Sequence, residues 1–210
     1  MIYTIQEPQK LPKELENSPL SPTLGQNYFN NIIGEIVGKG ALVGQTIDYR
    51  QYKINDASIL DDAELKHTQH QIITYDQASL EFMEIQNESQ MKLEPKYRKY
   101  VIHCNCNYKV YQQIVPELQE MARELDANVI GWNYRNVNCD KDPKDDKNGK
   151  YVSSFKLLMI DTIAQVQRLL DEGASIENIT LSGLSIGGGI ATSAAGQGRS
   201  KTEACSPWEP

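Results

Sequence analysis

With 210 residues, 21 of them basic and 28 acidic, the chain carries a formal charge of −7, and 40% of its residues are hydrophobic. These proportions suit one globular domain with at most an appendage. The acidic excess comes without the dense Lys/Arg stripe that phosphate neutralisation demands, which speaks against nucleic acid as a partner. No run of about 18 apolar residues is present to span a bilayer. The opening MIYTIQEPQKLPKELENSP lacks the basic-then-apolar order of a secretory signal, so the chain reads as cytoplasmic. Four cysteines, Cys104, Cys106, Cys139 and Cys205, are scattered, and the Cys-x-Cys has no second pair at zinc-finger spacing. They read as reduced thiols, and neither a metal nor an organic cofactor is implied.

In chain order, Pro8, Pro12, Pro19 and Pro22 interrupt the start too often for a helix or strand to persist, which predicts an extended arm. From Tyr28 to Val43, Ile32, Ile33, Ile36 and Val37 share a helical face that Gly34, Gly38 and Gly40 weaken, predicting a short amphipathic helix. Two β-rich runs, Ile72 to Tyr75 and Leu80 to Ile85, flank Asp76, Gln77 and Ala78 and predict a hairpin. A strand follows near 100–103. Val110, Ile114, Val115, Leu118, Met121, Ala122 and Leu125 then predict a helix near 108–125. After a strand near 128–132, the charged loop from Asp140 to Lys150 fails EF-hand spacing and reads as a solvated surface loop. A second helix near 151–172 ends at Gly173, and a strand near 178–183 runs into a small-residue helix near 186–195. Strands alternating with amphipathic helices predict an α/β fold, a mainly parallel sheet with helices on both faces and ligand sites at the carboxyl ends of its strands.

Gly183-Leu184-Ser185-Ile186-Gly187 is a GxSxG between a predicted strand and a predicted helix. A nucleophilic serine must project above the sheet from a tight turn, where side chains two residues to either side would collide, and glycine at 183 and 187 removes that collision. A glycine-rich turn in which Ser185 merely caps the helix would also fit, as would a phosphate-cradling loop. Against the latter, no Lys-Ser/Thr follows and no GxGxxG can be drawn through Gly187, Gly188 and Gly189.

Over residues 70 to 195 the chain resembles the α/β-hydrolase superfamily. YVIHCNCN resembles that family's third strand and oxyanion loop, VIGWNYRNV its fourth strand and Asp-Tyr-Arg-Gly turn, and ITLSGLSIGGGIA its fifth strand, nucleophile elbow and following helix. The resemblance implies Ser185 as nucleophile, with the oxyanion held by the backbone N–H of Ile186 and by that of Asn105, with Cys106 second. Cys104 and Cys106 stand where the family often has glycine. Tyr134 and Arg135 read as loop-anchoring groups and His103 as a structural group, because the family keeps its catalytic histidine after the last strand. The family order is Ser, then Asp or Glu, then His. Here no histidine follows Ser185, and neither His67 nor His70, both ahead of the hairpin, can be assumed to reach it.

The expectation is therefore an incomplete α/β-hydrolase fold, a truncated or frame-shifted chain that is crippled in catalysis. It divides into an N-terminal arm and short helix (1–65), a partial core (66–195) and an irregular tail (196–210). Its implied substrate is a lipid or small-molecule ester. The strand near 178–183 would be left as a sheet edge open to self-association. More narrowly, the arm and charged loop resemble lipase-related Sdb/SidB-type effectors, which bacterial pathogens export into host cells through a type IV system. The rival readings are a non-catalytic binding module or remnant of the same fold, and a phosphate-binding α/β domain.

Overall fold

The computed structural model describes residues 2–4, 62–74, 77–107, 109–135 and 155–203, with the backbone alone for 2–4, 155–156 and 197–203. The helix expected at 28–43, the Asp140 to Lys150 loop, Cys139 and Cys205 lie outside these residues. Six described strands make one mixed sheet: β1 (Ile2–Thr4), β2 (Leu65–Ile73), β3 (Ser79–Asn87), β4 (Tyr100–Cys104), β5 (Asn128–Trp132) and β6 (Ile179–Gly183). Their order across the sheet is β1-β2-β3-β5-β4-β6. Strands β5, β4 and β6 run parallel, while β3 is antiparallel to both β2 and β5.

The period-2 alternation of side chains sends successive residues to opposite faces. Leu80 and Phe82 of β3, Ile102 of β4 and Ile130 of β5 join one core, whereas Met83, Ile85, Val101 and Val129 join the other. Helices α3 (Phe155–Asp171) and α4 (Ile186–Glu203) cover the first face through Leu158, Leu169, Ile190 and Ala191. Helix α2 (Val115–Glu124) covers the second through Val115, Leu118 and Ala122, and a single turn, α1 (Glu88–Met91), follows β3. Each large side chain buried this way contributes about 1.5–3 kcal/mol. Both faces are covered, as the alternation of strands with amphipathic helices predicts, and β6 borders the sheet among the described residues.

Four boundaries differ from expectation. Ile2–Thr4 of the arm is a strand, parallel to β2, because this β-prone triplet precedes the first proline. Strand β2 starts at Leu65, where LKHTQH shows little apolar alternation; nine register pairs with the more apolar β3 hold it. Helix α2 starts at Val115 rather than near 108, preceded by a 3-10 turn at Tyr111–Gln113; Pro116 sits in its first turn, where its missing N–H costs nothing. Finally, α4 continues to Glu203, so the segment from 196 is helical for eight more residues than an irregular tail allows; no proline interrupts it before Pro207.

The inner face of α3 is polar. Arg168 is 3% exposed, with Nη2 3.0 Å from Glu84 of β3 and Nη1 3.0 Å from both carboxylate oxygens of Glu172. Its guanidinium also lies 4.6 Å from the Phe82 ring centroid. One turn nearer the amino end, Gln165 is fully buried, and Asp161 is the buried partner of Arg135.

Candidate active site

Strand β6 ends at Gly183 and α4 begins at Ile186, so two residues reverse the chain. Ser185 takes φ +58°, the left-handed region, which costs a non-glycine residue about 1–2 kcal/mol. Its carbonyl accepts from Gly188 N at 3.0 Å and Gly189 N at 3.4 Å, and the Leu184 carbonyl accepts from Gly187 N at 3.0 Å. A Cβ on Gly183 would stand 2.7 Å from Gly188 N and closer still to the Gly187 carbonyl; one on Gly187 would stand 2.6 Å from the Asn105 carbonyl and closer to that of Cys104. Backbone approaching backbone at that distance leaves no room for any side chain. The turn lifts Ser185 into solvent, with Leu184 beside it 62% exposed.

The loop after β4 packs against this turn, with Leu184 N donating to the Cys104 carbonyl at 3.4 Å. Asn105 is 1% exposed; its Nδ2 donates to the Trp132 carbonyl at 2.9 Å, and its own carbonyl accepts from the Tyr134 hydroxyl at 2.6 Å. Behind it, Asn133 Oδ1 accepts from Tyr111 N at 2.9 Å. Arg135 Nε donates to Asp161 Oδ1 at 2.9 Å, tying the end of β5 to α3. Tyr134 thus anchors the loop after β4 and Arg135 anchors the end of β5 to α3, while nothing local in the sequence points to Asn105 as the group that Tyr134 holds. Both cysteines here are free; burial pushes the Cys104 thiol up to about 11, and Cys106 is half-buried.

The three histidines sit elsewhere. His67 Nε2 is 3.0 Å from the Gln119 amide nitrogen, and His70 packs on Phe82, ring centroids 5.3 Å apart. His103 Nδ1 lies 3.4 Å from Ser182 Oγ, not beside Ser185, and burial lowers its pKa while the charge of Glu117 opposes the shift. Among the described residues nothing accepts the Ser185 hydroxyl proton, and no group of three metal-ligating side chains occurs. A cleft of about 500 Å³ runs along β6 and α4, lined by Leu181, Gly183, Gly188 and Ala191 but not by Ser185.

No family model matches the chain, and no curated protein matches it. Solved structures do. One is a thermophilic carboxylesterase, EstE1, from a metagenomic library, with a TM-score of 0.51 at 12% identity over 79% of this chain and 52% of that one. Another is an ester-hydrolase, EH1AB1, from the metagenome of Lake Arreo, solved with a bipyridine phosphonate derivative, with a TM-score of 0.50 at 12% identity over 86% of this chain and 56% of that one. The likeness shows a common α/β-hydrolase type of fold, and the chain spans about half the length of these structures.

Proposed function

We propose that the chain carries the nucleophile-bearing part of a serine hydrolase acting on lipid or small-molecule esters. The observation that supports this best is Ser185 in a left-handed turn between β6 and α4, clasped by Gly183 and Gly187. In this reading Ser185 Oγ bonds to the acyl carbon, the ester C–O bond breaks, and the alcohol leaves with the serine proton. Water then releases the acid from the acyl-enzyme. The developing oxyanion is held by the Ile186 N–H and by an N–H of the loop at Asn105 and Cys106, donors worth a few kcal/mol each.

No residue after Ser185 in these 210 is a histidine, and the three histidines present are engaged on β2 and β4. Deleting the base from such an enzyme costs about 10⁴–10⁶ in turnover, so these residues alone are expected to be nearly inert. The second reading, a non-catalytic binding module on the same fold, draws on that lack of a proton acceptor at Ser185. On its arm and charged loop we also place the chain with Sdb/SidB-type effectors, a placement tested by fusing the chain to a translocation reporter.

The test for the chemistry is a fluorophosphonate probe with mass-spectrometric mapping, on the chain and on Ser185→Ala. Slow labelling at Ser185, lost in Ser185→Ala, supports the nucleophile reading. Labelling at Ser182 instead overturns it, and no labelling at all favours the binding module.

A further inference from the structure

The Asn105–Cys106 peptide is trans, and in a trans peptide the C=O and the following N–H point to opposite sides. The Asn105 carbonyl accepts from Tyr134 and abuts the Cα of Gly187, so it is wedged between β5's end and the first turn of α4. Since Tyr134 is 5% exposed and Asn105 1% exposed, that carbonyl points inward. The Cys106 N–H therefore points away from the buried Tyr134 hydroxyl, and Cys106 itself is half-buried. Neither this N–H nor that of Ile186 donates to a carbonyl within the described residues.

We infer that Tyr134 is a positioning residue: its hydroxyl fixes the Asn105–Cys106 peptide so that the Cys106 N–H, and not that of Asn105, joins the Ile186 N–H as an anion donor. The inference deepens the serine-hydrolase reading and rests on it. The Asn105 side chain adds a second anchor on the Trp132 carbonyl, which holds the loop without engaging the Asn105 carbonyl. Among the described residues the Tyr134 hydroxyl is the hydrogen-bond donor to that carbonyl, which Gly187 also hems in. Burial raises the Tyr134 pKa well above its usual value, with the Cys104, Cys106 and Asp161 groups adding to the effect, so the hydroxyl keeps its proton across the working pH range.

The experiment is an amide NMR titration of the 210-residue chain with methylphosphonate, a tetrahedral anion that mimics the charge formed in acyl transfer. In the unaltered chain the Cys106 and Ile186 amides are expected to move on one saturation curve. In Tyr134→Phe the Ile186 amide should still respond while the Cys106 shift is lost, with affinity about tenfold weaker, the worth of one charge-assisted hydrogen bond. Asn105→Ala, which keeps the carbonyl and its bond to Tyr134, should retain both responses. An undiminished Cys106 response in Tyr134→Phe overturns the inference, as does an Asn105 amide that moves in place of Cys106 in the unaltered chain. That second comparison needs no variant and decides the matter even if Tyr134→Phe does not fold. An unaltered chain in which Ile186 itself stays still removes the hydrolase site as well, which separates the failure of the two readings.

Discussion

Gly187→Ala is the sharpest single perturbation of the elbow. The added methyl would stand 2.6 Å from the Asn105 carbonyl and nearer still to that of Cys104, and carbonyls in a packed loop cannot swing aside as a flexible side chain would. Reaching ordinary contact at 3.4 Å requires α4 and the β4 loop to part by more than an ångström at the Cys104 carbonyl. That displacement breaks the 3.4 Å bond from Leu184 N to the Cys104 carbonyl and strains the bond from Tyr134 to Asn105. Overpacking costs about 1–3 kcal/mol, and stripping a buried polar group of its partner about 1–3 kcal/mol more. Alanine returns roughly 1 kcal/mol of helix propensity, which leaves a net loss of about 1–5 kcal/mol. Two other glycines on the same helix serve as internal standards. A Cβ on Gly188 would meet the Gly183 carbonyl at 3.2 Å, so Gly188→Ala should be near neutral; a Cβ on Gly196 meets nothing within 4 Å, so Gly196→Ala should gain up to roughly 1 kcal/mol. Urea unfolding of the three variants gives the ranking. If Gly187→Ala were as stable as Gly196→Ala, the close approach that defines the elbow would be refuted.

Ser185→Gly relieves the left-handed strain and should gain about 0.5–1 kcal/mol in urea unfolding, whereas Ser185→Ala keeps the strain and should gain nothing. Glu84→Ala leaves the buried Arg168 short of one carboxylate, and a loss of about 3–5 kcal/mol is expected by thermal unfolding. His70 and His103 both have folded pKa values below the usual 6.5, burial being the main cause, with Glu84 and Glu117 opposing it. The unfolded state therefore binds more protons, stability is whole above 6.5 and declines as the pH falls through it, and His70→Gln should flatten the decline between neutral and mildly acidic urea titrations. Among the described residues the uncharged, proline-free β6 borders the sheet, so the chain should associate at micromolar concentration; a compact monomer in sedimentation velocity would contradict this.

What the sequence discloses about this fold is what depends on local pattern. Val101 with Ile102, Val129 with Ile130, and the run into Gly183 mark three strands within a residue or two, because each is a short apolar run bounded by breakers. The first half of β2 escapes for the opposite reason: His67, Thr68 and Gln69 show no apolar alternation, and their pairing comes from β3 across the sheet. The tight turn at Ser185 is legible because its steric requirement is local and spells itself as glycine at 183 and 187. The grip on Asn105 is not, since it depends on Trp132 and Tyr134 arriving from another strand. Nothing local marks Arg168 or Asp161 as buried either; tertiary partners on β3 and after β5 turn them inward.

Strands β3 and β4 follow each other in the chain but are not neighbours in the sheet; β5, made later, seats between them. This dictates an order of assembly. The β2–β3 hairpin can close from local contacts, but its inner edge has no partner until β5 arrives, and pairings across such long loops are slow to form. The β4 loop cannot be gripped before then either, because both anchors of Asn105 lie at or just beyond the end of β5. The elbow comes last, since Gly187 needs the carbonyls of Cys104 and Asn105 already in place. Insertion of β5 is thus the rate-limiting event on this view, and during it the hairpin's unpaired edge is the surface at risk of misassembly. Pulsed hydrogen exchange during refolding would read this directly: the Met83 and Ile85 amides should gain protection together with Val129 and Ile130, and protection of the hairpin edge well ahead of β5 would count against the order.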